Sequence, residues 1–203
     1  MSRNIIAILR GLRSEEARAM TDALIAAGIT KIEVPLNSPL PYDSIAAMLD
    51  QAKGRATVGA GTVLNTDAVA QLSAMGAQMV ISPDCNPDVI RAAKTAGMLS
   101  YPGVFTASEC FSALRAGADG LKFFPAFKLG LDGFSALKAV LPADAETYAV
   151  GGVGPADFAD WQKAGITGFG IGSSLYKPGR TVEDVARLAA ETVAAYDEAF
   201  DGK

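Results

Sequence analysis

The chain is 203 residues long, 50% hydrophobic, 7% aromatic and 20% charged, with a net charge of −4. This length suits one well-filled core, so a single domain over 1–203 is expected, and the composition excludes a disordered or fibrous chain. The acidic balance, with no run of basic residues, argues against nucleic acid and an anionic membrane surface as partners and leaves a small anionic ligand open.

Met1-Ser2-Arg3-Asn4 leads straight into Ile5-Ile6-Ala7-Ile8-Leu9. That apolar run is too short for the core of a signal peptide and far too short to span a bilayer, so the expected compartment is the cytoplasm. Strands are predicted over 5–10, 31–35, 57–62, 79–82, 99–103, 119–124, 147–151 and 168–172, as short apolar, β-branched or glycine-rich runs that suit strands covered on both faces. Gly28, Gly54, Gly76, Gly97, Gly117 and Gly165 follow helix-like segments and stop them. Helix starts are predicted at Ser14 before Glu15-Glu16, at Asn86 before Pro87, at Gly154 before Pro155 and at Thr181 before Val182-Glu183-Asp184. The last helix, roughly 182–199, carries Val182, Val185, Leu188, Ala189 and Val193 at helical spacing. Eight strand-then-helix units of about 25 residues predict an α/β fold, a (β/α)8 TIM barrel, in preference to an open doubly wound sheet.

Cys85 and Cys110 lack any CxxC spacing and read as free thiols, without a disulfide framework or a zinc site. Histidine is absent, which removes the commonest general base, a Ser-His-Asp arrangement and most transition-metal sites. Catalysis must then come from Lys, Glu, Asp, Arg, Tyr or Cys.

In a barrel of this type the chemistry lies where strands end and βα loops begin. In Leu121-Lys122-Phe123, alternation turns Lys122 inward while its neighbours pack against helices. An interior lysine loses hydration, which lowers its pKa from about 10.4 and frees a neutral amine able to attack a carbonyl. Glu33 has the inward parity of Lys31-Ile32-Glu33-Val34. The pair reads either as a buried salt bridge or as an amine nucleophile with its proton carrier. Arg10, closing the first strand, suits a two-point grip on a carboxylate, and is equally readable as a capping or surface group. Thr62, after Gly59-Ala60-Gly61, can add a hydroxyl at the same place. Gly151-Gly152 and Gly172-Ser173 end the seventh and eighth strands, where barrels often hold phosphate on exposed backbone N–H groups.

Taken together, Ile6-Ala7-Ile8-Leu9-Arg10-Gly11, Ile32-Glu33-Val34, Gly59-Ala60-Gly61-Thr62-Val63, Tyr101-Pro102-Gly103, Leu121-Lys122-Phe123-Phe124-Pro125, Gly151-Gly152-Val153 and Gly170-Ile171-Gly172-Ser173 run almost end to end. In these segments the sequence resembles the class I pyruvate aldolases of 2-dehydro-3-deoxy-phospho-sugar acids, the family that includes the phosphogluconate enzymes. The resemblance implies Lys122 as the Schiff-base lysine, Glu33 as the acid/base, Arg10 and Thr62 as contacts to the pyruvate carboxylate, and Gly151, Gly152, Gly172 and Ser173 as the phosphate site. It implies no metal or organic cofactor, a homotrimer, and a phosphorylated keto sugar acid and pyruvate as small-molecule partners.

Pro35-Leu36-Asn37-Ser38-Pro39 and Val150-Gly151-Gly152 resemble the galactonate branch of that family, with Val150 in place of a hydroxyl that would read C4. The implied reaction is cleavage of 2-dehydro-3-deoxy-6-phospho-D-galactonate to pyruvate and D-glyceraldehyde 3-phosphate in galactonate catabolism. The alternatives are the C4-epimeric gluconate substrate and a phosphate-binding isomerase or epimerase. Three segments depart from the family pattern: there is little of the N-terminal helix that often plugs the barrel bottom, Thr106-Ala107-Ser108 lacks a proline, and Phe127-Lys128 adds a charge after the catalytic strand.

Overall fold

The computed structural model describes residues 3–201. Every strand pairing is parallel. The order is β5-β4-β3-β2-β1-β9-β8-β7-β6, where β1 is Ile5–Ile8, β2 Lys31–Pro35, β3 Thr57–Gly61, β4 Met79–Ile81, β5 Leu99–Tyr101, β6 Gly103–Val104, β7 Leu121–Phe123, β8 Thr147–Val150 and β9 Gly168–Ile171. β5 and β6 are one predicted strand, 99–103, divided at Pro102, whose ring leaves no N–H for the ladder. Its carbonyl still accepts from the Lys122 N–H at 2.9 Å, and the Ser100 carbonyl accepts from Asp119 at 3.0 Å. The sheet therefore closes on itself as a (β/α)8 barrel.

The helices are α1 (Ala17–Ala27), α2 (Pro41–Ala52), α3 (Thr66–Ala74), α4 (Pro87–Thr95), α5 (Ala107–Ala116), α6 (Ala126–Lys138), α7 (Phe158–Lys163) and α8 (Val182–Asp201), with a 3-10 turn at Pro155–Asp157. None of the described helices is long and apolar enough to cross a membrane. Asn86 caps α4 by accepting from the Asp88 N–H, and the Thr181 hydroxyl accepts from the Asp184 N–H. α1 begins two residues later than predicted, because Ser14 offers the turn only its carbonyl and Glu16 reaches back to the Arg13 N–H. α5 starts with a capping box between Thr106 and Glu109, so the first turn is satisfied without the missing proline.

Most strands end one or two residues before their predicted limits. Of the residues left over, Arg10, Thr62, Gly151 and Gly172 have turned into βα loops, while Ser82 and Phe124 still donate to the Tyr101 and Val104 carbonyls at 3.3 and 3.2 Å. Strand alternation divides the core in two. Ile5, Ala7, Leu9, Ile32, Val34, Val58 and Ala60 join the helices in an outer layer, while Ile6, Ile8, Met79, Ile81, Tyr101, Tyr148 and Val150 fill the barrel.

The barrel bottom is occupied by side chains. The rings of Tyr101 and Tyr148 meet edge to face at 5.1 Å. Lys31 Nζ donates to Asn4 Oδ1 at 2.9 Å and to the Tyr148 hydroxyl at 3.0 Å, and that hydroxyl donates to Glu146 at 2.8 Å.

On the outside, Phe169 is fully buried, stacks on Phe158 at 4.0 Å and meets Tyr196 of α8 edge-on. Phe169→Ala should lower the unfolding free energy by about 3–5 kcal/mol, read as a lower urea midpoint with unchanged slope.

Candidate active site

The ends of β1, β2, β3, β4, β7, β8 and β9 surround one cavity of about 580 Å³ at the C-terminal mouth of the barrel. Glu33 enters it from β2 and is 2% exposed. Gly61 on the neighbouring strand makes room, since any Cβ there would overlap the Glu33 carboxylate. Glu33 Oε2 finds no hydrogen-bond partner among the described residues. Burial pushes the acid up to about 7, against the opposing pull of Lys122 and Arg10.

Lys122 enters from β7 and is 8% exposed. Its Nζ donates to the Ser82 carbonyl at 3.3 Å and lies 4.8 Å from the centroid of the Phe124 ring. Burial pushes this amine below the usual lysine range, helped by Arg10 and opposed by Glu33 and Asp84. Each group of the pair is thus moved toward its neutral form, which a strong structural ion pair would not show.

Arg10 sits in the turn after β1, and its Nη1 donates to Asn37 Oδ1 at 2.5 Å. That bond aligns the guanidinium along the cavity wall. Thr62 has φ 56°, a conformation that a β-branched residue adopts at a cost of about 1–3 kcal/mol. It is held there because Gly61 and Val63 on either side remain tied to Leu36 and Ile81 by backbone bonds of 2.8 and 3.2 Å. The result is a side chain on the cavity wall that a regular strand would not provide.

Across the cavity, Gly151 and Gly152 have φ 90° and 71°, and a Cβ on Gly152 would come within 2.7 Å of Phe127. Gly172 opens the next turn, its carbonyl accepting from Leu175 and Tyr176 at 2.9 Å. The N–H groups of Gly152, Ser173 and Ser174 donate to no protein acceptor among the described residues. With Lys122 and Glu33 both moved toward neutrality by burial, Arg10 and Lys177 leave the lining positive, which suits an anionic ligand.

The model of the KDPG and KHG aldolase family matches residues 1–190. This chain belongs to that family. It is 51% identical over 203 residues to a Rhizobium meliloti (strain 1021) protein named probable 2-dehydro-3-deoxy-6-phosphogalactonate aldolase, covering 100% of this chain and 96% of that one. It is 48% identical over 195 residues to the 2-dehydro-3-deoxy-6-phosphogalactonate aldolase of Escherichia coli (strain K12), covering 96% and 95%. A solved structure described as native KDPGal superposes with a TM-score of 0.97 at 46% identity, covering 99% of this chain and 98% of that one.

In this KDPG and KHG aldolase, all nine residues singled out from the sequence line the same cavity: Arg10, Glu33, Thr62, Lys122, Val150, Gly151, Gly152, Gly172 and Ser173. Arg10 lies past the strand in which the sequence placed it, and its anchor Asn37 comes from the β2–α2 loop. Phe124, Ser174, Tyr176 and Lys177 also line the cavity and went unnoticed. Phe124 stands inside the Leu121–Pro125 motif without having been given a role, and Ser174 directly follows the Gly170–Ser173 motif, so extending the reading of those motifs would have found both. Lys177 and Tyr176 belong to a loop with no periodic signal. Lys128 lies 5.2 Å from the centroid of the Phe127 ring, the residue packed over Gly152.

Because the folded Glu33 titrates near 7 and an ordinary glutamate near 4.5, the native state holds this proton more tightly than the unfolded chain. The stability this gives is full below the lower value and is lost as pH rises through the higher one. Glu33→Gln should therefore gain stability over wild type at about pH 8 and gain little at about pH 4, measured by urea unfolding.

Proposed function

We propose that this aldolase cleaves 2-dehydro-3-deoxy-6-phospho-D-galactonate to pyruvate and D-glyceraldehyde 3-phosphate through an imine on Lys122. The observation that carries the reading is the amine of Lys122, buried inside the barrel and depressed in pKa, sharing one cavity with an acid that titrates near 7. A neutral amine is the nucleophile a ketone requires, and an acid half-protonated at neutral pH both accepts and returns a proton.

Lys122 Nζ adds to the C2 ketone, and loss of water gives an iminium. The C3–C4 electrons flow into it as the C4 hydroxyl proton passes, through a water, to Glu33. D-Glyceraldehyde 3-phosphate leaves, Glu33 returns a proton to the enamine carbon, and hydrolysis frees pyruvate and the lysine. Arg10 and Thr62 hold the carboxylate, while the N–H groups around Gly151-Gly152 and Gly172-Ser173 take the phosphate at the far wall.

The galactonate epimer is favoured by the names of the relatives at 48–51% identity and by Val150, 5% exposed on the cavity wall, which offers C4 a methyl group where a hydroxyl would read it. The whole chain works as one domain, and the free thiols Cys85 and Cys110 suit a reducing cytoplasm. It assembles as a homotrimer, in line with the family resemblance. Leu40, Leu64 and Phe105 in βα loops and Phe127 in the first turn of α6, all at least 40% exposed, offer apolar surface for such packing.

Borohydride added with pyruvate should fix a three-carbon adduct on the Lys122 peptide by mass spectrometry. Lys122→Met should show neither adduct nor turnover, and an unlabelled wild-type peptide would overturn the imine. In a lactate-dehydrogenase-coupled assay, kcat/KM should be at least about tenfold higher for the galactonate substrate than for its gluconate epimer, a difference of one buried hydrogen bond. Equal values would remove the epimer assignment alone.

A further inference from the structure

A void of about 10 Å³ lies directly beneath Lys122, walled by Ile6, Ile8, Ile81, Val150 and the rings of Tyr101 and Tyr148. A space of that size is at the lower limit of what one water needs, and its apolar walls offer none of the polar partners that would hold it there, so it stays dry. Tyr148 is 0% exposed and Tyr101 2%, so these two rings separate the void from the solvent below. The fold makes specific room for them. A Cβ on Gly168 would come within 2.6 Å of the Tyr148 ring, and one on Gly120 within 2.9 Å of Tyr148 and 3.0 Å of Tyr101. The Tyr148 hydroxyl is fixed from two sides by Lys31 and Glu146, and Lys31 also lies 5.5 Å from the centroid of that ring. Ile8 and Val150 line both this void and the mouth cavity, whereas Tyr101, Tyr148, Lys31 and Glu146 do not reach the mouth.

We propose that Tyr148, clamped by Lys31 and Glu146, is a positioning residue for the aldol reaction: it seals the barrel floor and keeps water out of the space under the Lys122 amine. The proposal rests on Lys122 as the imine-forming group. Water admitted from below would hydrate the ammonium and favour the charged form, which cannot attack a ketone. The charged groups acting on Lys122 from above are Glu33 on β2, Arg10 after β1 and Asp84 after β4. These are untouched by changes at the floor, so a shift produced there reports on hydration from below.

The test is the pH dependence of borohydride-trapped imine formation with pyruvate, and of kcat/KM, in Tyr148→Leu and Tyr148→Phe, with circular dichroism to confirm the fold. Tyr148→Leu opens the floor, and its acid limb should move to higher pH by about one unit, a roughly tenfold loss of rate on the acid side. Tyr148→Phe keeps the ring and should shift less. Equal limbs in wild type and folded Tyr148→Leu overturn the proposal, whatever happens to the maximal rate. Lys31→Met, altered only at the half-buried edge of the clamp, carries the test if Tyr148→Leu does not fold. Its limb should move in the same direction and remain shifted at high salt, whereas an unmoved limb, or a shift abolished by salt, overturns the seal. Failure of wild type to trap pyruvate would instead refute the imine itself.

Discussion

Two ionisable groups of opposite sign are held inside a closed parallel barrel, and the loss of their hydration shapes everything around them. Had Lys122 and Glu33 formed a tight ion pair, each would hold the other in its charged form. Instead, burial drives both toward neutrality, leaving an amine able to attack and an acid able to give or take a proton. Closure of the sheet makes this possible, because every strand is covered outside by helices and the interior is reached only at the strand ends. The Lys122 N–H bond to the Pro102 carbonyl, which carries the ladder across the break in the fifth strand, therefore also bears on the reactive side chain of the same residue.

Alternation was the most informative property of the sequence. In Leu121-Lys122-Phe123 and Ile32-Glu33-Val34 a charged residue stands between apolar neighbours, and a period of two assigns it to the barrel interior. The glycine turn after β8 was legible for a related reason, as left-handed backbone positions like those of Gly151 and Gly152 are nearly restricted to glycine. Contacts made between loops left no local trace. The Arg10–Asn37 bond spans 27 residues, Thr62 adopts a conformation its type disfavours, and Tyr176 and Lys177 reach the cavity from a segment without periodicity. The divided fifth strand was written in Pro102, yet a strand prediction weighs the apolar run more than the missing donor.

The floor shows how bulk and its absence are matched across the barrel. Tyr101 and Tyr148 supply the volume that a plugging helix often supplies, while Gly120 and Gly168 concede the space. At the mouth the same exchange occurs between Gly61 and the Glu33 carboxylate. Glycines that read in the sequence only as members of strand runs are here the hollow halves of side-chain contacts, a role invisible until the partner strand is known.

The donors at Gly152, Ser173 and Ser174 are main-chain N–H groups. Recognition written in the backbone is out of reach of most point mutations, since exchanging a side chain leaves the peptide N–H in place. On the proposed reading, divergence of substrate range on this scaffold is channelled to positions such as Val150, where a side chain on the cavity wall would face the middle of the substrate. One end of the molecule is kept as a fixed handle, and the chemistry between handle and lysine is left free to drift.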